Sequence, residues 1–124
     1  MGWSNKIVIK ELAHFFKSLS DENRLKIILC IALEKCGFLS VTEIVNRLGL
    51  SQPLVSHHLK EFRYANILVS ERRGPFIYYR LASKGLLKFL GRAVAEINPD
   101  LDESALGAEV KRIIQEQEQT KGEE

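Results

Sequence analysis

Ser51-Gln52-Pro53-Leu54-Val55-Ser56-His57-His58-Leu59-Lys60-Glu61-Phe62-Arg63 is the stretch whose reading decides the fold. A serine able to cap a helix precedes a short amphipathic segment, running to about Ala65. At about 100° per residue, Leu54, Val55, Leu59, Phe62 and Ala65 fall on one side, with His58 among them. Gln52, Pro53, Ser56, His57, Lys60 and Arg63 lie on or around the other. That outward face offers amide, hydroxyl, imidazole and cation, the groups that read and hold nucleic acid. The adjacent histidines therefore part company. His58 points inward as a hydrogen-bonded residue at the core edge, and His57 points outward; alone it would be an ordinary surface histidine, but its neighbours make it a nucleic-acid contact.

Just upstream, Ser40-Val41-Thr42-Glu43 has the S-x-x-E pattern of a capping box, and Val41, Ile44, Val45 and Leu48 give a helix of about two turns stopped by Gly49. Two short helices joined by a tight glycine-containing turn are the signature of a helix-turn-helix. Just downstream, Ile67 to Arg73, then Gly74-Pro75, then Phe76 to Leu81 read as a β-hairpin whose second arm is rich in β-branched and aromatic residues. A basic hairpin directly after a recognition helix is a wing. Arg72 and Arg73 near its tip are placed to reach phosphates or a narrow minor groove; the same charges also discourage edge-to-edge aggregation.

The flanks supply the scaffold. From Asn5 to Leu19, the apolar residues Val8, Leu12, Phe15, Phe16 and Leu19 recur at helical spacing, while Ile7, Ile9 and Ala13 widen the stripe beyond one face. Ser20-Asp21-Glu22 caps a second helix in which Leu25, Ile28, Leu29, Ala32 and Cys36 share a face, with Gly37 past its end. Ile27, Ile31 and Leu33 lie off that face, so this helix is expected at the centre. Ser83 is a cap for a further helix with Leu86, Leu87, Leu90, Val94 and Ile97 as its stripe, ended by Asn98-Pro99. A domain this small cannot cover both this stripe and the apolar first helix with one core. The economical solution is a symmetric dimer, with Leu12, Phe15, Phe16, Leu87, Leu90 and Val94 at the interface. One last helix, from Glu103 to about Gln119, is expected to pack on the dimer side and to end in a frayed acidic tail; a solvated segment that binds a partner is the alternative.

The expected class is therefore mainly α with a small β-hairpin (α+β), a winged helix-turn-helix dimerising through its N- and C-terminal helices. Residues 1–97 form the DNA-binding and dimerisation domain, and 98–124 an acidic helical extension. At 124 residues no second domain is needed. The net charge of +2 conceals a division: residues 1–97 carry 15 Lys/Arg against 8 Asp/Glu, net +7, and residues 98–124 carry 3 against 8, net −5. Within 47–92 there are nine bases and two acids, which suits a phosphate backbone. The longest apolar run, Ile27 to Leu33, is too short to span a bilayer, and Met1-Gly2-Trp3-Ser4 lacks the pattern of a secretion signal. With two cysteines, Cys30 and Cys36, reduced thiols and a cytoplasmic location are expected.

With helix, helix, helix-turn-helix, basic hairpin and helix in that order, the sequence resembles the ArsR/SmtB family of winged-helix repressors. The resemblance runs from about Phe15 to Ile97. It is carried by Leu19-Ser20-Asp21-Glu22-Asn23-Arg24-Leu25-Lys26-Ile27, by Leu50 to Leu59, and by Gly74 to Leu81. It implies a homodimer that binds an imperfect inverted repeat in double-stranded DNA near a promoter and represses. On that resemblance Gln52, Ser56 and His57 approach base edges, Lys60 and Arg63 phosphates, and Arg72 and Arg73 the flanking backbone; Ser51 and Pro53 complete the contact set. Two recognition helices then sit one DNA turn apart, roughly 34 Å.

The family's metal sites do not follow. Where relatives begin the first helix of the helix-turn-helix with Cys-x-Cys, Val41 to Asn46 has neither Cys nor His, and from Ser83 to Ile97 only Glu96 is a potential ligand. Six helical residues separate Cys30 from Cys36 by about 9 Å of rise and over 200° of turn, so both thiolates cannot share an ion within that helix. An unwound helix end or a ligand from another subunit, or His14, keeps a thiol- or metal-responsive repressor as an alternative. Cys36, in phase with core leucines, is expected as a small buried hydrophobe, and Cys30, off that phase, as the better candidate for a reactive thiol. No cofactor is expected, the effector is unassigned, and nothing in the chain marks an enzyme: there is no phosphate loop, metal triad or nucleophile beside a base. A winged helix used for protein contacts is the competing class.

Overall fold

In the computed structural model, which describes residues 5–122, nine elements follow one another: α1 (Asn5–Leu19), α2 (Glu22–Ala32), β1 (Phe38–Ser40), α3 (Val41–Leu48), α4 (Gln52–Tyr64), β2 (Leu68–Arg73), β3 (Phe76–Leu81), α5 (Leu86–Ile97) and α6 (Glu103–Gly122). Met1 to Ser4, the side chains of Asn5, Lys6 and Ile7, and Glu123 and Glu124 lie outside the described residues.

The Asp21 carboxylate accepts the Arg24 N–H at 3.1 Å and starts α2. Ile27, Ile28, Leu29, Cys30 and Ile31 are buried in succession, so this helix meets core on every side, as its sequence implies. Around it pack Leu39, Ile44 and Leu48, then Val55, Leu59 and Phe62 from the inner face of α4, then Leu68 and Tyr79 from the sheet. Each fully buried aliphatic side chain contributes about 1.5–3 kcal/mol relative to exposure.

The helix-turn-helix forms from its local signals. The Ser40 hydroxyl accepts the Glu43 N–H and the Glu43 carboxylate accepts the Ser40 N–H, each at 3.2 Å, closing the capping box. Gly49, at φ 68°, ends α3 in the left-handed conformation that side-chain-bearing residues disfavour.

The sheet is antiparallel with order β1-β3-β2. Its wing pairs Leu68 with Leu81 and Arg73 with Phe76 across the two-residue turn Gly74-Pro75, where Gly74 has φ 61°. β1 pairs Leu39 with Tyr79 and adds a strand that the hairpin pattern does not announce.

Three expectations are corrected. α2 ends at Ala32 with Leu33 as its cap, short of Cys36, so Gly37 serves a following turn at φ 82° and not the helix end. α5 begins at Leu86, not directly after Ser83; the Ser83 hydroxyl accepts the Gly85 N–H at 3.2 Å and shapes the turn before the helix. α6 continues to Gly122, and although it starts beside α5 it goes on to pack against α2 and α3 of its own chain, with Val110 buried. Gly91 permits the start of that path, since a Cβ there would stand 3.0 Å from the Glu103 Cα.

Candidate nucleic-acid interface

The Ser51 hydroxyl accepts the Leu54 N–H at 3.3 Å, and α4 divides as its pattern dictates. Val55, His58, Leu59 and Phe62 are buried, while Ser51, Gln52, Pro53, Ser56, His57, Lys60 and Arg63 are all exposed. Hence one helix offers a continuous polar and cationic surface held by an apolar back. Tyr64 was not singled out by the sequence pattern, yet it is 71% exposed at the end of α4, with the Lys60 ammonium 5.9 Å from its ring centroid. An exposed aromatic on a basic face is the signal that would have found it.

On the wing the two arginines differ. Arg73 lies over the Phe38 ring at 4.2 Å and pairs with Glu71 at 3.3 Å, two residues back on the same face of the strand. Arg72 is exposed and has no ion-pair partner among the described residues. Arg47, counted with the basic middle, is also engaged: it pairs with Glu34 and, at 3.7 Å, with Glu43, tying α3 to the segment after α2. Its hydrogen bond holds Glu34 below the usual carboxylate range.

His58 is inward and satisfied. The Arg24 Nε–H donates to His58 Nδ1 at 3.0 Å, linking α2 to α4, while Asp21 Oδ2 stands 4.0 Å from Nε2. Burial and the Arg24 charge push the His58 pKa below its ordinary 6.5, and the Asp21 carboxylate opposes them without prevailing. The folded state thus binds fewer protons than the unfolded chain just below pH 6.5. The contribution to stability is complete above that value and is lost as pH falls through the lower folded pKa. Thermal melts from pH 7 to 5 should show a steeper decline for the wild type than for His58→Gln; equal slopes would dismiss His58 as the group responsible.

The cysteines exchange their expected places. Cys30 is buried, which raises its thiol to about 11, so it is the inert member of the pair. Cys36 lies past the helix end, exposed, and its S–H donates to the Phe38 carbonyl at 3.3 Å. Among the described residues no three His, Cys, Asp or Glu side chains are grouped to hold a metal ion. No helix among them is long and apolar enough to cross a membrane.

An apolar surface flanks this architecture. Val8, Leu12 and Phe16, spaced four apart on α1, are 39%, 52% and 50% exposed, and Phe89 on α5 is 42% exposed. Phe15, half-buried, stacks edge-on with Phe16 and Phe89 at 5.6 and 5.8 Å. Leu87, Leu90 and Val94 are half-buried. Phe89 was missed because it falls beside the stripe of α5.

A helix-turn-helix followed directly by a β-hairpin, with a third short strand bracing that hairpin, defines a winged helix-turn-helix protein. A family model described as bacterial regulatory protein, arsR family, matches residues 21–70. The transcriptional repressor SdpR of Bacillus subtilis is 38% identical over 66 residues, 53% of this chain and 70% of that protein. The arsenic resistance transcriptional regulator ArsR1 of Pseudomonas putida is 47% identical over 66 residues, and the chain spans only 50% of its length. Among solved structures, the transcriptional repressor PagR of Bacillus anthracis superposes with a TM-score of 0.61 at 31% identity, covering 69% of this chain and 99% of its own. The chain belongs to the arsR family of bacterial regulatory proteins.

Proposed function

We propose that the chain is a sequence-specific, DNA-binding transcriptional regulator, a homodimeric repressor that reads an inverted repeat, and that it is a cytoplasmic protein and not an enzyme. One observation carries this: every polar and basic residue of the outer face of α4 is solvent-exposed, while Val55, His58, Leu59 and Phe62 on its other face are buried. Gln52, Ser56 and His57 approach base edges; Ser51 and Pro53 set the entry of the helix; Lys60 and Arg63 take phosphates. Arg72 reaches the flanking backbone, and Arg73, held by Phe38 and Glu71, stiffens the wing beside it. The exposed apolar residues of α1 and α5 support pairing with a second copy, as does a solved homodimeric winged helix-turn-helix domain from Mycobacterium bovis that is 25% identical.

Two substitutions test the contact assignment. Lys60→Ala should weaken binding to all duplexes alike and lower the salt slope by about one, whereas Gln52→Ala should cost about 1–3 kcal/mol on the operator alone. Equal losses on operator and random DNA for Gln52→Ala would refute its base-reading role. Absence of any salt-sensitive duplex binding would turn the assignment toward a winged helix used for protein contacts.

A further inference from the structure

The last helix makes contacts that its composition does not suggest. α6 is held at both ends: its start presses against Gly91 of α5, and its far end reaches the turn of the helix-turn-helix. There the Lys121 ammonium donates to the Asn46 carbonyl at 2.9 Å, near the C-terminus of α3. That carbonyl lies among the last four of a helix, which have no partner within it, and a cation there also meets the negative end of the helix dipole. Beside it the Gln117 amide lies against Gly49, occupying the space that a Cβ would need. Between its ends α6 runs along α2, where Leu25, Leu29, Leu106, Val110 and Ile113 line an open groove of about 450 Å³. The helix is therefore seated on the core through Val110, Ile113 and Ile114 and fastened by polar or close contacts at its two ends.

We infer that α6 is an intramolecular brace, running from the apolar helix α5 to the turn that aims α4, and that Gln117 and Lys121 are positioning residues for DNA recognition. Gly49, Leu50 and Ser51 connect α3 to the first contact residues of α4, so gripping Gly49 and Asn46 from outside fixes the entry of α4 before DNA arrives. A pre-ordered turn loses less conformational freedom on binding, which raises affinity where geometry matters and leaves non-specific attraction nearly unchanged. The negative charge of residues 98–124 opposes DNA at long range, but salt screens it within about 8–10 Å, whereas the two contacts act at the turn itself.

This inference rests on the DNA-reading role proposed for α4, and the full-length chain tests it. Gln117→Ala/Lys121→Ala removes both contacts without touching the core. Its operator affinity should fall roughly tenfold, random-duplex affinity less than twofold, and Lys121→Arg alone should retain wild-type operator binding. Amide hydrogens of Leu50, Ser51 and Gln52 should exchange faster in the free double variant, while its melting temperature stays within about 2 °C of the wild type. Unchanged or increased operator affinity overturns the brace, and so does an equal loss on both duplexes, which would make Lys121 a phosphate contact. If the double variant fails to fold, Lys121→Gln gives the same readings. If the wild type binds no duplex at all, the role of α4 fails, and unaltered exchange at the turn would then separately refute the brace.

Discussion

Phe16→Asp should give a folded chain that sediments as a monomer and binds an inverted repeat at least a hundredfold more weakly than the wild type. Phe16 ends the line Val8, Leu12, Phe16 on α1 and lies 6.2 Å from the Phe89 ring, so it sits at the junction of the two exposed apolar helices. In the isolated chain the ring is 50% exposed, and the carboxylate that replaces it stays hydrated, so folding changes little. Between two copies the same carboxylate must be desolvated. The interface loses about 1.5–3 kcal/mol of apolar burial and bears several kcal/mol for a charge without a partner. A deficit of about 3 kcal/mol or more exceeds a factor of one hundred in the dimer equilibrium. Operator affinity follows because a monomer reads one half-site only. Sedimentation velocity and operator titration check both halves; a Phe16→Asp variant that remains dimeric would place the interface elsewhere.

Phe62→Ala should cost about 3–5 kcal/mol of folding stability, a large share of the roughly 5–15 kcal/mol that a domain possesses. Phe62 is wholly buried on the inner side of α4 and belongs to the same cluster as Val55, Leu59, Ile28 and Ile31. Truncation leaves a cavity within a cluster in which Ile27 and Leu68 are also fully buried. Because the same helix carries the proposed contact face, DNA binding should decline with the folded fraction. Urea unfolding at fixed m-value measures the loss; a drop below about 1.5 kcal/mol would mean that the core re-forms around the gap.

Much of this was legible because the informative signals are local. Ser40 and Glu43 three apart, Gly49, and the cap Ser51 mark both helices of the helix-turn-helix, and helical phase alone separates His57 from His58. Gly74-Pro75 between β-rich arms marks the wing. What escaped depends on distance in sequence or on where an element stops. β1 is three residues long, too short for alternation to register. The cysteines were inverted because phase carries information only while a helix lasts: α2 stops at Ala32, and Cys36 leaves the face on which it was counted. Arg24 meets His58 across 34 residues and Lys121 meets Asn46 across 75, pairings that no periodicity encodes. Arg73 looked as free as Arg72 because its partner, the ring of Phe38, belongs to the strand that was not foreseen.

Ser40 joins two parts of the molecule that are usually considered separately. It is the last residue of β1, opposite Tyr78 of the wing, and its hydroxyl caps α3. Phe38, two residues earlier, stands edge-on to the Tyr78 ring at 5.2 Å. No residue therefore intervenes between β1, which pairs with the hairpin, and α3, the first helix of the helix-turn-helix. On the DNA-reading role proposed for α4, the wing and that helix approach a duplex as one jaw of set opening. Such a jaw rewards a groove already near the matching width and penalises one that must be bent to it, so selectivity among sites should extend to base pairs that no side chain touches.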